Sequence, residues 1–253
     1  MKSHDEKAPR EHWERVWEVD TRDVLPSWFD VGSRNLQRIL RRHVAPGMRY
    51  LEIGCAPGRL LAWVALRLGA EVAGLDYSAV GLAAAQRLFQ GAGIVADLRC
   101  ENVFTNSFEP GSFDIVSSFG LIEHFDDPRP VVDEHVKLVR PGGVAMIVVP
   151  NYRGIYGRLQ RHFDPENLRI HNLNIMSCEQ LLKLVPTGEI AEAQAYSSGR
   201  VAPGLISFAR QWPSVLAKAA ERMINVVGSI QPFEIPMISP LLVLQVRRTT
   251  SMT

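Results

Sequence analysis

The sequence has few cysteines and no strong net charge, and each absence excludes a class of protein. Its three cysteines, Cys55, Cys100 and Cys178, stand far apart and match no zinc-binding spacing. A scattered, odd set of thiols is typical of a reducing compartment, so we expect a cytoplasmic protein. The formal net charge of +1 provides no overall attraction to nucleic acid, which we do not expect as a partner.

Long hydrophobic segments are also missing. No apolar run approaches the roughly 20 residues that a membrane-spanning helix needs. The most apolar stretch, Leu241 to Val246, has only the length of a β-strand. Residues 1–10 are charged and lack the apolar core of a signal peptide. These features predict a protein without stable membrane insertion, and they leave its oligomeric state open.

What is present is an alternation of strand and helix patterns. The sequence predicts strands at Tyr50–Ile53, Glu71–Leu75, Ala96–Cys100, Phe113–Ser117 and Val144–Val149, with helices at Leu60–Leu68, Ala79–Gln90 and Pro130–Val139. Such alternation indicates an α/β protein with a doubly wound parallel sheet. After Pro150 the alternation stops. Helices are predicted there near 177–184 and over 204–227, and strands near 190–196 and 240–246 indicate a closing antiparallel pair.

A glycine turn follows the first predicted strand, in the segment Leu-Glu-Ile-Gly-Cys-Ala-Pro-Gly at residues 51–58. Glycines between a strand and a helix let the backbone pass close beneath a ligand, with helix N–H groups directed at it. Asp76 ends the next strand, where a carboxylate can accept hydrogen bonds from both hydroxyls of a ribose. Together they indicate a nucleotide-type ligand.

Two ligands fit this geometry, a dinucleotide and S-adenosylmethionine. Dinucleotide sites use three glycines, G-x-G-x-x-G, whereas here Gly54 and Gly58 flank Ala56 with a different spacing. Glu52 stands just before the turn, where its negative charge repels a pyrophosphate but attracts an ammonium group. An NAD-dependent oxidoreductase is therefore the weaker alternative, and a non-catalytic binding subunit is a third.

The segment 51–58 resembles motif I of the class I S-adenosylmethionine-dependent methyltransferases. The resemblance continues through Gly-Leu-Asp-Tyr-Ser at 74–78, Gly-Ser-Phe-Asp-Ile-Val at 111–116, Ile-Glu-His-Phe-Asp-Asp-Pro at 122–128 and Leu-Val-Arg-Pro-Gly-Gly at 138–143. It implies a Rossmann-like, seven-stranded sheet with an antiparallel last strand, and methyl transfer from S-adenosylmethionine to a small molecule.

The resemblance also implies the residues that bind the cofactor. Gly54, Cys55, Ala56 and Gly58 would line its methionine end, with Glu52 at the ammonium group. Asp76 would hold the ribose. The adenine would lie among Tyr77, Asn102 and Val103, with Phe119 as a further contact. Asn102 stands where the family usually has aspartate and Glu101 lies beside it, so either side chain can face the adenine.

A base is needed if the acceptor is a hydroxyl or a thiol, and His124 is the candidate. The Glu123–His124 pair is similar to that of ubiquinone-biosynthesis O-methyltransferases, which carry a further glutamate three residues earlier. Here that position is Gly120. Two ligands make a poor divalent-cation site, so we predict no metal.

A basic segment follows the fifth strand and contains Arg153, Arg158, Arg161 and Arg169. Guanidinium groups suit carboxylates or phosphates, so this segment predicts a polar or anionic acceptor. For the acceptor atom we expect oxygen, with nitrogen and carbon as the alternatives. A solvated surface is the equally weighted alternative. His162 and His171, in the same segment, are alternative bases.

We expect a single domain over residues 1–253. Residues 1–45 would form an N-terminal helical lid, 46–150 the cofactor-binding core, and 151–253 the substrate-covering segment with the closing strands. Trp13, Trp17, Trp28 and Phe29 are candidates to close over the site, although packing is the favoured role of the first two.

Overall fold

A computed structural model describes residues 6–19, 25–27 and 29–250 of the chain. Its single sheet has seven strands: β1 (Arg49–Ile53), β2 (Glu71–Asp76), β3 (Asp97–Cys100), β4 (Phe113–Phe119), β5 (Val139–Pro150), β6 (Ile190–Ser198) and β7 (Leu241–Arg248). The helices are α1 (Arg10–Val19), α2 (Val31–Arg41), α3 (Arg59–Leu68), α4 (Ala79–Ala92), α5 (Arg129–Leu138), α6 (Ile155–Phe163), α7 (Pro165–Arg169), α8 (Cys178–Leu182) and α9 (Ser214–Ile230).

The strand order is β3-β2-β1-β4-β5-β7-β6. Strands β1 to β5 run parallel, and β7 lies antiparallel between β5 and β6. This confirms the predicted seven-stranded, Rossmann-like sheet with an antiparallel last strand. Strands β2 and β3 are added on one side of β1, and β4 and β5 on the other, so the strand order switches between β1 and β4. In open α/β sheets, ligands bind beyond the carboxyl ends of the strands at such a switch point.

Strand β5 shows how the sheet separates two hydrophobic layers. Ala145, Ile147 and Val149 pack on one face with residues of α5, whereas Met146 and Val148 pack on the other with residues of α3 and α4. Alternate side chains of a strand point to opposite faces, and here both faces are covered by helices. This burial on both faces explains why the strand is apolar at every position from 144 to 149.

The structure differs from the sequence predictions mainly after Pro150 and at strand ends. Strand β5 begins at Val139, so the Pro-Gly-Gly segment, which was predicted to end the preceding helix, belongs to the strand. The pairing of β5 with β4 shifts register between Phe113 and Ile115. The helix predicted over 204–227 begins only at Ser214, after Pro213. Proline lacks the N–H that a helix interior needs, so it stands at the helix start.

No helix within 6–19, 25–27 and 29–250 combines the length and the hydrophobicity that crossing a bilayer requires.

Candidate active site

The glycine turn connects β1 to α3 beneath a pocket at the carboxyl ends of the strands. Gly54 and Gly58 have φ angles of 73° and 85°, in the left-handed region that favours glycine. A Cβ atom on Gly58 would also lie 2.7 Å from the Cβ of Ala85 in α4. Both backbone conformation and packing therefore require glycine at position 58.

The pocket encloses about 840 Å³, with open solvent at its mouth included. Eight of the predicted site residues line it: Gly54, Ala56, Asp76, Tyr77, Asn102, Val103, Phe119 and His124. Glu52, Cys55 and Gly58 are not among the lining residues. The structure thus brings together most of the predicted set from β2, β4 and the connections that follow β1, β2, β3 and β4.

Asp76 lies at the end of β2 with its carboxylate fixed by backbone groups. The N–H of Ala56 donates to Oδ2 at 3.0 Å and the N–H of Ser78 donates to Oδ1 at 2.8 Å. Burial raises the pKa of Asp76, and these two hydrogen bonds oppose the rise. Each carboxylate oxygen keeps a second acceptor position, which suits the two hydroxyls of a ribose.

Glu52 is buried one strand away and has an unsatisfied oxygen. Its Oε2 has no hydrogen-bond partner, and burial, with the charge of Asp76, raises the pKa of Glu52 to about 8. An isolated buried carboxyl of this kind is costly unless a partner compensates it. A ligand ammonium group would be such a partner, so the residue fits the predicted role although it lies behind the pocket wall.

Cys55 differs from its predicted role. Its side chain is 2% exposed, and a Cβ atom on Gly74 would lie 2.7 Å from its Sγ atom. The thiol therefore points between the turn and β2 and does not form part of the pocket wall. Burial raises the pKa of this thiol well above its usual value, which keeps it protonated.

Asn102 and Glu101 both line the predicted adenine end, but Glu101 is engaged elsewhere. The Glu101 carboxylate accepts hydrogen bonds from the N–H and the hydroxyl of Ser107, each at 2.7 Å. Asn102 Oδ1 accepts from the N–H of Phe104 at 2.9 Å, which leaves its amide NH₂ for a ligand. Asn102 therefore keeps a free amide group at the pocket wall, whereas the Glu101 carboxylate is already hydrogen-bonded.

The N-terminal segment closes one side of the pocket. Glu14 of α1 accepts hydrogen bonds from the N–H groups of Ala79 and Val80 at 3.1 and 3.2 Å, so its charge lies at the positive end of α4. The backbone N–H of Lys7 donates to the backbone carbonyl of His124 at 2.8 Å. These contacts attach the segment to both sides of the strand ends.

Trp13 and Trp17 line the pocket and also pack against its walls. The Trp13 ring lies 4.8 Å from the ring of His124, and a Cβ atom on Gly81 would lie 2.5 Å from Cδ1 of Trp17. The positions of Trp13 and Trp17 are therefore compatible with both predicted roles, packing against the protein and covering the site. Phe29 is 67% exposed and does not line the pocket, and Trp28 lies outside the described residues.

His124 has a defined orientation at the pocket wall. Its Nδ1 lies 2.8 Å from the carbonyl oxygen of Ile170, so Nδ1 carries the proton and Nε2 is the acceptor. Burial, with the neighbouring His171, lowers the pKa of His124 to about 3. The ring is therefore neutral at physiological pH, with Nε2 free to accept a hydrogen bond, and a pKa this low makes it a weak base in the cofactor-free protein.

His171 joins His124, a pairing that sequence reasoning missed. Their ring centroids are 4.6 Å apart, and His171 Nδ1 lies 2.6 Å from the carbonyl of Asn167. Asn172 holds the two segments together, since its amide NH₂ donates to the carbonyls of Phe125 and Asp126 at 3.1 and 3.0 Å. No sequence spacing reveals a contact across 47 residues, because it depends on how the two segments pack.

Glu123 completes a cluster with the two histidines. One ligand atom from each of Glu123, His124 and His171 lies within 4.8 Å of the others. The prediction of no metal assumed that a third ligand was missing, and that assumption is wrong because His171 supplies the group. Burial raises the pKa of Glu123 to about 8, so at neutral pH the carboxyl is protonated and adds no charge. The absence of a metal stays a prediction.

The basic segment does not reach the pocket. Arg153, Arg158, Arg161 and Arg169 are exposed and none is among the lining residues, and Arg169 pairs with Glu166 at 2.8 Å. His162 is exposed on α6 and packs against Phe163, with ring centroids 5.0 Å apart. Of the three histidines considered as bases, only His124 lines the pocket.

Comparison with known proteins agrees with this geometry. Residues 51–147 match the family described as a methyltransferase domain. The ubiquinone biosynthesis O-methyltransferase of Chromobacterium violaceum is 31% identical over 173 residues, which cover 68% of this chain and 67% of that protein. Four further proteins of that name match over only 51–55% of their length. The chain belongs to the class I S-adenosylmethionine-dependent methyltransferases that act on small molecules.

Solved structures share the fold at low identity. A phosphoethanolamine N-methyltransferase of Haemonchus contortus has a TM-score of 0.62 at 18% identity, covering 95% of this chain and 58% of that one. A geranyl diphosphate C-methyltransferase of Streptomyces coelicolor has a TM-score of 0.63 at 14% identity, covering 95% and 98%. Because it belongs to this family, the chain is a methyltransferase with S-adenosylmethionine as its cofactor. The two alternative predictions, an NAD-dependent oxidoreductase and a non-catalytic binding subunit, are not supported.

The buried carboxyl of Glu52 has a measurable consequence for the cofactor-free protein. Because its pKa is raised from 4.5 to about 8, the folded state retains a proton that the unfolded chain loses. Its contribution to stability is full below about pH 4.5 and is lost as the pH rises through about 8. We expect Glu52→Gln to raise the melting temperature at pH 8 relative to wild type, but not at pH 4.5.

Calorimetry of both proteins at the two pH values measures the difference in melting temperature. In a chain of this size, each kcal/mol of unfolding free energy shifts the melting temperature by about 2–4 °C. The variant should also bind S-adenosylmethionine more weakly, since a neutral amide cannot compensate an ammonium charge. Glu71→Gln is the matched control, because Glu71 is exposed at the start of β2. Equal melting-temperature changes at both pH values would contradict the assignment.

Proposed function

We propose that the protein methylates a hydroxyl oxygen of a small molecule, with His124 as the general base. The observation that carries the proposal is the His124 ring at the pocket wall, whose Nδ1–H donates to Ile170 and whose Nε2 remains an acceptor. The O-methyltransferase names of the relatives support oxygen as the acceptor atom. In this reaction Nε2 of His124 would accept the hydroxyl proton. The oxygen would bond to the methyl carbon that bound cofactor supplies, and the carbon–sulfur bond would break to leave a neutral thioether.

The chain would bind the cofactor with its turn and strand ends. We propose that Gly54 and Ala56 contact the methionine end, that Glu52 compensates the ammonium group, and that Asp76 holds the ribose. Tyr77, Asn102 and Val103 would surround the adenine, with Phe119 beside it. Cys55 and Gly58 would contribute to cofactor binding only indirectly, by setting the backbone conformation of the turn. Bound cofactor supplies the electrophilic methyl group, and the protein aligns it with the acceptor.

The neighbours of His124 favour an acceptor with an apolar or aromatic body. Trp13, Phe125 and Leu121 line the pocket together with His124. A planar ring carrying a hydroxyl suits such walls. A polar or anionic acceptor, suggested by the basic segment, would need its charged group to extend beyond these walls toward the exposed arginines.

Segment 1–45 would act as a lid on a single domain, because Trp13 and Trp17 line the pocket while α1 is attached to α4 through Glu14. Lid residues exclude water from a displacement reaction and must move when product leaves. We also propose a cytoplasmic location and no nucleic-acid partner, both on the cysteine pattern and the near-zero net charge.

The test is an assay with S-adenosylmethionine labelled in its methyl group, offered a panel of matched acceptors. Each set presents a hydroxyl, an amine or an activated carbon on the same aromatic or aliphatic body, and mass spectrometry identifies the methylated atom. We expect transfer to hydroxyl acceptors, with aromatic bodies preferred. Transfer to nitrogen or carbon alone would refute the proposal.

The same assay tests the metal prediction. We expect chelator-treated protein to retain its kcat, because the proposal assigns the acceptor Nε2 of His124 to the hydroxyl proton and not to a cation. Loss of activity on treatment with EDTA, with recovery on adding Mg²⁺, Mn²⁺ or Zn²⁺, would show instead that the cluster of Glu123, His124 and His171 binds a cation.

A further inference from the structure

Helix α9 has hydrophobic residues on two faces, and only one face packs against the protein. Ala217 and Gly228 are buried on the inner face. A Cβ atom on Gly228 would lie 1.9 Å from the carbonyl oxygen of Val201, so the helix lies directly on this backbone. Asn225 accepts the N–H of Val31 at 3.0 Å, which attaches α9 to the start of α2. The inner face is therefore fully used in the fold.

The outer face forms a stripe along the whole helix. Val215, Met223, Val226 and Ile230 are 76%, 64%, 59% and 75% exposed, at spacings that keep residues on one side of a helix. Beside them, Leu216 and Val227 are 57% and 49% exposed, and Phe233 follows the helix at 67%. Single exposed hydrophobic residues are ordinary, but a contiguous stripe of this kind marks an interaction surface.

Cations border the stripe. Lys218 and Arg222, one turn apart, are exposed on one flank, and within the described part of the chain neither forms an ion pair. At the C-terminal end, Arg34 donates to the hydroxyl of Ser229 at 2.5 Å, and Arg200 donates to its carbonyl at 3.4 Å. The acidic residue of the helix, Glu221, is half-buried toward the inner side.

We propose that the outer face of α9 docks the protein on an anionic lipid bilayer. The helix would lie in the plane of the interface, with its apolar stripe at the boundary of headgroups and acyl chains and its flanking cations on lipid phosphates. Charge complementarity favours this occupant over a second copy of the chain. An antiparallel pair of α9 helices would bring Lys218 and Arg222 against the same residues of the other copy, with no acidic side chain on that flank.

The full-length protein is tested by co-sedimentation with vesicles of phosphatidylcholine, with or without one third phosphatidylglycerol. We expect binding to the anionic vesicles and its reduction by high salt. Met223→Gln with Ile230→Gln should abolish binding. Lys218→Gln with Arg222→Gln should weaken it about 30-fold, at roughly 1 kcal/mol for each charge. All variants should keep the wild-type affinity for S-adenosylhomocysteine, which shows that they fold.

The matched control is Leu66→Gln with Arg67→Gln, an exposed apolar and basic pair on α3, which should bind vesicles as wild type does. Wild-type protein that fails to sediment with anionic vesicles would overturn the proposal, as would equal binding to neutral ones. A dimer in analytical ultracentrifugation that Met223→Gln with Ile230→Gln dissociates, without vesicle binding, would assign the face to a second copy instead.

Discussion

Asparagine in place of His124 is expected to lower kcat by about 10²- to 10⁴-fold, the usual contribution of a general base, while the affinity for S-adenosylhomocysteine stays within about twofold. Asparagine is the informative replacement because its amide NH₂ stands near the position of Nδ1 and can still donate to the carbonyl of Ile170. The variant therefore preserves the local hydrogen bond and removes only the acceptor Nε2. Single-turnover kinetics with labelled cofactor measures the effect.

Two other histidines serve as controls for this prediction. His162→Asn should leave kcat unchanged, because His162 is exposed on α6 and does not line the pocket. His171→Asn should have an intermediate effect, since His171 packs against the His124 ring but does not itself line the pocket. If His171→Asn abolished turnover while His124→Asn retained it, the base would be His171.

Replacing Asp76 by asparagine is expected to raise the dissociation constant for S-adenosylmethionine by about 10- to 100-fold. Hydrogen bonds to an ionised carboxylate contribute about 1.5–3 kcal/mol, and the amide keeps only one acceptor oxygen. Its NH₂ group must also face the N–H of either Ala56 or Ser78, both of which donate to the carboxylate in the structure. Isothermal titration calorimetry with S-adenosylmethionine, in the absence of an acceptor, measures the change.

Because the replacement also disturbs the turn, a control must separate binding from stability. Ser78→Ala removes the hydroxyl that caps α4 by accepting the N–H of Gly81 at 3.0 Å, and it should cost about 1 kcal/mol of stability. It leaves the Asp76 carboxylate in place, so the cofactor affinity should hardly change. An equal loss of affinity in both variants would show that Asp76 acts through folding and not through the ribose.

The cofactor end of the site is largely predictable because it depends on local sequence. Gly54 and Gly58 adopt left-handed conformations in a turn of a few residues, and Asp76 ends the adjacent parallel strand. In a parallel sheet the carboxyl ends of neighbouring strands meet at one edge, so order along the chain is enough to place these residues together. The same logic predicted the five parallel strands.

The side chains nearest the proposed acceptor are less predictable, because they come from distant segments. Trp13 reaches His124 from the first helix, and His171 reaches it from the segment after α7. The arginines of the basic segment have the chemistry of a substrate site, yet their side chains face solvent. Sequence composition cannot show which side of a short helix faces the pocket when both sides carry polar residues.

The sequence by itself determined the succession of parallel strands and helices and, through the resemblance of its motifs, the family and the cofactor, because each depends on spacings within a few residues or on order along the chain. Only the tertiary structure decided that Cys55 points away from the pocket, that His171 joins His124 and Glu123, and that α9 presents a second hydrophobic face outward. These facts depend on which surfaces meet when distant segments pack, and a residue's neighbours along the chain do not specify that contact.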